Sequence, residues 1–296
     1  MKFDRAARRK LLSHGMTVLT GLAIVAIMVP LVAVIYETLS LGGQDLNLGL
    51  FTNGLPYPCS PQPGVTCQQG GLVVPITGTI ELIALSSLVA VPIGIGAAIF
   101  SVEYGRESPF ARIVGLVSDV LAGVPSIVAG AFIYALVLLY DPSIVFSTIS
   151  GSLALAVLMV PIVARTCEEA LRTVPNSVRE AALALGISRW KATLRITLVS
   201  ALPGIVTGVL LAVARSAGEA APLLLLLGNA CTHPLQGLNQ EGCALPLFIY
   251  QGATAPNANY VALAWAAALL LLGLILVLSV ISRLTLNRMA KRMRGG

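Results

Sequence analysis

Residues 165–205, RTCEEALRTVPNSVREAALALGISRWKATLRITLVSALPGI, join two long apolar runs, yet their pattern is too regular for a linker. Pro175 breaks a helical composition that begins at Arg165. Asn176 or Ser177 can cap a new helix, with Glu180 in the capping-box position after Ser177. Gly186 suits a C-cap, and Ser188 can cap a return helix leading into the next apolar run. The expectation is a short helix lying across one mouth of the molecule, held between two spans. Val178, Ala181, Ala182 and Leu185 recur at helical spacing along it, so one face needs cover. On physics alone its own bundle or the lipid interface can supply that cover.

The runs on either side belong to a chain built for lipid. Of 296 residues, 56% are hydrophobic and 11% charged, with a mean hydropathy of +0.88. Soluble domains carry about a quarter charged residues. A bilayer core takes roughly 20 apolar residues as helix, and the runs are continuous rather than alternating, which excludes a barrel. Six spans are predicted, near 17–39, 75–100, 113–140, 144–165, 199–228 and 261–281. The first is too long, and lacks the small-residue cleavage site, for a removed signal peptide. A tail of 1–16, a six-span domain of 17–283 with the connecting loop at about 166–197, and a basic tail of 284–296 complete the organisation.

Charge distribution sets the expected orientation. The N-terminal tail, the second–third connection, the fourth–fifth connection with its flanks and the C-terminal tail hold 18 of the 19 basic residues. The other three connections hold none, so both termini and the 165–205 loop are expected in the cytoplasm. The net charge of +6 follows from that topology and does not argue for nucleic acid. Four cysteines fall in the outer loops. The local pairs Cys59–Cys67 and Cys231–Cys243 each close a short Pro/Gly-rich loop and suit disulfides in an oxidising compartment, free thiols being the alternative. Cys167 lies on the opposite side.

The nineteenth basic residue is Arg215, inside the fifth span in "LAVARSAGEAAPLLLLLG", with Glu219 four residues on. Arginine at the bilayer centre costs about 2.5–3.5 kcal/mol on insertion scales and marks a bundle interior or a watery path. Four residues apart, the two share one helix face and can pair. One reading is a bridge that locks packing. The other is a charge that is used, because a buried ion pair stabilises weakly and guanidinium offers two parallel donors to an oxyanion. Arg165, at the inner end of the fourth span, is a second candidate cation on the same route, or else an interface anchor. Glu219 can accept a hydrogen bond from a protonated phosphate oxygen, which sulfate cannot donate. Pro92, Pro125, Pro161 and Pro203 permit kinks in the spans. Glu81 and Asp119 are charged and have no assignable role.

The stretch "EAALALGISRWKATLRITLVSALPGI" resembles the EAA loop of ABC importer permeases, with Glu180, Ala181, Ala182 and Gly186 in the signature positions. "AVPIGIGAAIFSVEYG", "LAGVPSIVAG" and "ARSAGEAAPLLL" extend the resemblance over most of the chain and make it most similar to the PstA-type permeases of phosphate importers. Ala220 stands where that pattern usually has Thr, and the paired outer cysteines are not part of it. The resemblance implies an all-α, six-helix type I (MetI-like) permease of the bacterial inner membrane, with the loop helix coupling to an ATPase. It also implies partners: a second homologous permease (PstC-type), an ATPase dimer (PstB-type) and an extracytoplasmic phosphate-binding protein (PstS-type). An arginine matching Arg165 in PstA-type sequences favours that residue as part of a substrate path with Arg215 and Glu219.

No lysine follows a glycine, so the chain has no P-loop. ATP and magnesium are expected in the partner ATPase, and no cofactor or metal is expected in this chain. The competing readings are a permease for sulfate or molybdate and a proton-coupled secondary transporter. The sequence shows no second copy of the charged span that an inverted repeat would supply.

Overall fold

The computed structural model describes residues 5–44, 46–54, 70–105, 108–228 and 237–294. Its regular structure, among those residues, is helical throughout. The helices are α1 (Arg5–Gly42), α2 (Val73–Tyr104), α3 (Pro109–Gly123), α4 (Ser126–Tyr140), α5 (Thr148–Arg172) and α6 (Asn176–Ala184). They continue with α7 (Arg189–Ser216), the single turn α8 (Leu223–Leu226), α9 (Leu245–Ala253) and α10 (Ala258–Arg294). Among the described residues, five helices are long and apolar enough to span a membrane alone. Counting the bent pair α3–α4 as one span makes six.

α5 is the centre of the bundle, and small residues let its neighbours close on it. A Cβ on Gly94 of α2 would come within 2.7 Å of Val163, and one on Gly204 of α7 within 2.7 Å of Ala170. Gly208 abuts Thr166 in the same way. Without a hydrophobic drive between helices in lipid, such close backbone approach is what holds them together. The resulting core joins Ala90 and Ala98 of α2, Met159, Val163 and Leu171 of α5, and Ala201, Ile205 and Ala212 of α7. α1 stands at the edge with Leu19, Leu22, Val25 and Val29 more than half exposed. It meets α10 where Gly42 abuts Trp265.

At the opposite end from α6, the loop before α9 is built into the bundle. Gln240 and Leu238 carbonyls accept from the Thr148 and Ile149 amides at the start of α5, and the Leu245 amide donates to Thr79 Oγ1 at 2.8 Å. Gly78 leaves room for the carbonyl of Cys243. Cys243 is disulfide-bonded, while Cys59, Cys67 and Cys231 lie outside the described residues. Cys167 is fully buried in the α5 core.

Three expectations are corrected. The third span is not continuous: Val124 and Pro125 separate α3 from α4 with a 108° bend, because proline takes extended neighbours and lacks the amide that would carry the helix on. The fifth span does not run to residue 228 but stops at Ser216, and turns follow before α8. α6 starts at Asn176, directly after Pro175, so Ser177 is not its cap and Glu180 closes no capping box. Ser188 does occupy the N-cap position of α7, without a side-chain bond.

The packing at Gly94 is checkable. Gly94→Leu is expected to lower thermal stability in detergent by about 1–3 kcal/mol through overpacking. Gly96→Leu, whose new Cβ would meet nothing within 4 Å, should leave the melting midpoint unchanged.

Candidate functional site

The α7 break lies deep in the bundle. Gly204 faces Ala170 and Gly208 faces Thr166, so α7 runs antiparallel to α5. Carrying that register seven residues further sets Arg215 level with Met159, near the middle of Thr148–Arg172. Arg215 therefore sits in the last turn of a helix that ends at mid-depth. The negative end of the helix dipole favours a cation there. The chain then turns back through Gly218→Arg215 and Glu219→Ser216 backbone bonds of 3.1 and 3.2 Å. Pro222 rests on Gly130 of α4, where a Cβ would meet it at 2.7 Å. Beyond it Leu223, Leu226 and Leu227 are buried.

Glu219 is thus not one turn along the same helix but just past its end. Its Oε1 lies 4.0 Å from Arg215 Nε, longer than a hydrogen bond. The Arg215 side chain is 65% exposed and that of Glu219 23%. The pair is electrostatically matched yet open, so the guanidinium retains its donors for another group.

Arg165 is placed differently. It bridges Asp119 of α3 and Glu168 of its own helix, the latter at 3.0 Å, and donates to the Gly115 carbonyl at 2.9 Å. Glu168 also takes Arg172 at 2.6 Å. Asp119 thereby gains a partner that the sequence did not suggest. These groups line a cavity of about 780 Å³ between the end of α2, α3, α5 and α6, together with Arg112. By the same register Arg165 stands six residues, about 9 Å, further along the bundle axis than Arg215. The structure brings Arg215 and Glu219 together and leaves Arg165 in a separate cluster nearer α6.

α6 ends in a Schellman motif. Gly186 has φ +76°, its amide donates to Leu183 at 2.9 Å, and the Ile187 amide donates to Ala182 at 3.1 Å. Ala182 is buried and Val178 packs on the α5–α7 core, so these two residues seat the helix on its own bundle. Ala181 and Glu180 face outward. Leu185, expected on the seated face, is 80% exposed, and Leu183 and Trp190 are also exposed. Leu185 still donates to the Ala181 carbonyl at 3.1 Å, so it stays on the helical stripe but beyond the part of it that the bundle covers. The free end of α6 thus presents an apolar patch beside Glu180.

Sequence reading missed the clamp beneath α6. Arg179 donates through Nε and Nη2 to Glu103 Oε1 at 2.9 and 2.8 Å, and through Nη1 and Nη2 to the Val174 and Leu171 carbonyls at 2.6 and 2.9 Å. Glu103 is 76 residues away. The sequence signal, one arginine and one glutamate each among other polar residues, did not indicate the pairing.

Residues 90–291 match the family described as binding-protein-dependent transport system inner membrane component. The chain belongs to this family: it is a membrane-embedded permease subunit of the ABC importer class. More particularly, it is 39% identical over 253 residues to the phosphate transport system permease protein PstA of Haemophilus influenzae, covering 85% of each chain. It is 36% identical over 285 residues to the PstA protein of Pasteurella multocida, covering 96% of this chain and 97% of that one. The fold is similar to a chain of the bacterial alginate ABC transporter, with a TM-score of 0.65 at 15% identity over 99% of this chain and 98% of that one. It is also similar to a chain of the MetNI methionine transporter in an inward-facing conformation, with a TM-score of 0.59 at 18% identity over 73% and 96%.

Gly186→Val forces a β-branched residue into the left-handed region, at a cost of about 1–2 kcal/mol, whereas asparagine tolerates it. Limited proteolysis of the loop in detergent is expected to speed up for Gly186→Val and to stay near wild type for Gly186→Asn.

Proposed function

We propose that the chain is the permease subunit through which an ATP-driven importer moves inorganic phosphate into the cytoplasm by alternating access. The observation that carries this reading is the open Arg215–Glu219 pair at the mid-depth end of α7. Arg215 offers a planar, permanently charged fork to the phosphate oxygens. Glu219 balances Arg215 when the path is empty and accepts a hydrogen bond from a protonated phosphate oxygen. Arg165, on the cavity wall nearer α6, is held by Asp119 and Glu168 and serves the exit only by exchanging those carboxylates for the anion. The PstA relatives support phosphate as the anion.

In this reading both termini and α6 face the cytoplasm, as the positive-inside distribution favours. α6, with Glu180, Ala181, Ala182 and Gly186, docks on an ATPase dimer, which holds the ATP and magnesium and performs the hydrolysis. A second homologous permease completes the path, and an extracytoplasmic phosphate-binding protein delivers the anion. The exposed Leu183, Leu185 and Trp190 supply the apolar contact for that docking. The outer loops are closed by Cys59–Cys67 and Cys231–Cys243 bonds.

Uptake of labelled phosphate into proteoliposomes of the whole complex tests the path. Arg215→Lys keeps the charge but loses the fork, and exchange of the pair (Arg215→Glu with Glu219→Arg) moves the positive charge off the helix end into the turn beyond it. Both are expected to assemble and to lose phosphate uptake. Near wild-type uptake by the exchanged pair would make it a packing bridge. Uptake of sulfate in preference to phosphate by the unmodified complex would overturn the substrate.

Peptide mapping of unreduced protein is expected to join Cys59 to Cys67 and Cys231 to Cys243. Any other partner for Cys243 refutes the local pairing. The thiol of Cys167 should alkylate only after denaturation, since it is fully buried.

A further inference from the structure

Glu103 lies in a π-turn, residues 100–104, at the end of α2 nearest α6, where the Gly105 amide reaches five residues back to the Phe100 carbonyl at 2.7 Å. Such turns carry an extra residue and recur at functional sites. Here the turn aims Glu103 under the coupling loop, and both sides of that loop hold it. Arg179, from α6, converges two guanidinium nitrogens on Glu103 Oε1. Arg189, at the start of α7, donates to the Glu103 carbonyl at 3.2 Å. The Arg179 and Glu103 side chains are only 12% and 9% exposed. Arg179 additionally ties the Leu171 and Val174 carbonyls at the end of α5. α6 is therefore attached not only to its chain neighbours α5 and α7 but also to α2, which precedes it by more than seventy residues.

We propose that Arg179 and Glu103 form a transmission latch: they carry displacement of the coupling helix into α2, so that α2 and α5 move as one wall of the path. This rests on the importer reading above. Buried ion pairs add little net stability compared with apolar residues of similar volume, whereas a lone buried charge is strongly destabilising. A directional tie between mobile elements is a use that apolar contact does not replace. Arg179 and Glu103 are positioning residues and are not assigned contact with phosphate.

The test uses the reconstituted complex of both permeases, the ATPase and the binding protein. Thermal stability, ATPase retention, ATP hydrolysis and uptake of radiolabelled phosphate are measured for Glu103→Leu, Arg179→Met, Arg179→Lys and the double variant Glu103→Leu/Arg179→Met. Each single removal leaves a buried charge and is expected to lower stability. The double variant removes both charges and is expected to regain most of that stability and to retain the ATPase. Its phosphate moved per ATP hydrolysed is nevertheless expected to fall about tenfold or more, the scale of a typical inter-site coupling. Arg179→Lys, which keeps the charge opposite Glu103, is expected to recover part of the ratio. A double variant with wild-type transport per ATP would overturn the latch. So would one whose transport falls only in proportion to lost ATPase retention, since the pair would then be an anchor alone. If the unmodified complex moves no phosphate, the importer reading itself fails, and the two failures are thereby distinguished.

Discussion

A helix that stops inside an apolar layer leaves backbone groups that lipid cannot satisfy, and the end of α7 at Ser216 imposes that constraint on everything around it. The chain meets it with its own turns: Ala217 donates to Val213, Gly218 to Arg215 and Glu219 to Ser216. Leu223, Leu226 and Leu227 then fill the space against α4 and α5. Ser150 Oγ reaches across from α5 to the Leu226 carbonyl at 3.1 Å. The same break makes the charge of Arg215 tolerable, because the helix end supplies a favourable field and the open turn supplies polar surroundings.

From that centre the two functions separate along the bundle axis. Arg215 and Glu219 stand at mid-depth with bonding capacity to spare. Nearer α6 most charges are paired: Arg165, Glu168, Arg172 and Asp119 hold one another, as do Arg179 and Glu103. An unsaturated cation suits a transient ligand, while a saturated network suits a rigid joint. α5 passes through both regions, and its close contacts with Gly94, Gly204 and Gly208 link them mechanically.

The coupling helix shows how local and tertiary terms divide the work. Pro175 and Gly186 set its two ends, each by its own backbone chemistry. Its seating is tertiary: Val178 and Ala182 enter the core, and Arg179 finds Glu103. Leu185 shares helical spacing with those residues and keeps the helical bond to the Ala181 carbonyl, but it is 80% exposed because, among the described residues, no other element covers the last turn. Spacing alone cannot register where the cover ends.

By itself the sequence determined the lipid class of the fold, the clustering of basic residues, the Gly186 cap and the presence of one arginine among apolar residues. Each is a matter of hydropathy, period or local backbone preference, all of which act within a few residues. Tertiary structure alone decided that the fifth span ends at Ser216, that α3 and α4 meet at 108°, that Arg165 holds Asp119 and that Arg179 holds Glu103. Residues 217–228 are as apolar as a span, so hydropathy does not distinguish helix from turn there. The packing of Pro222 on Gly130 does. The ion pairs join segments tens of residues apart, and which charges meet depends on the register in which α2, α3 and α6 settle against α5.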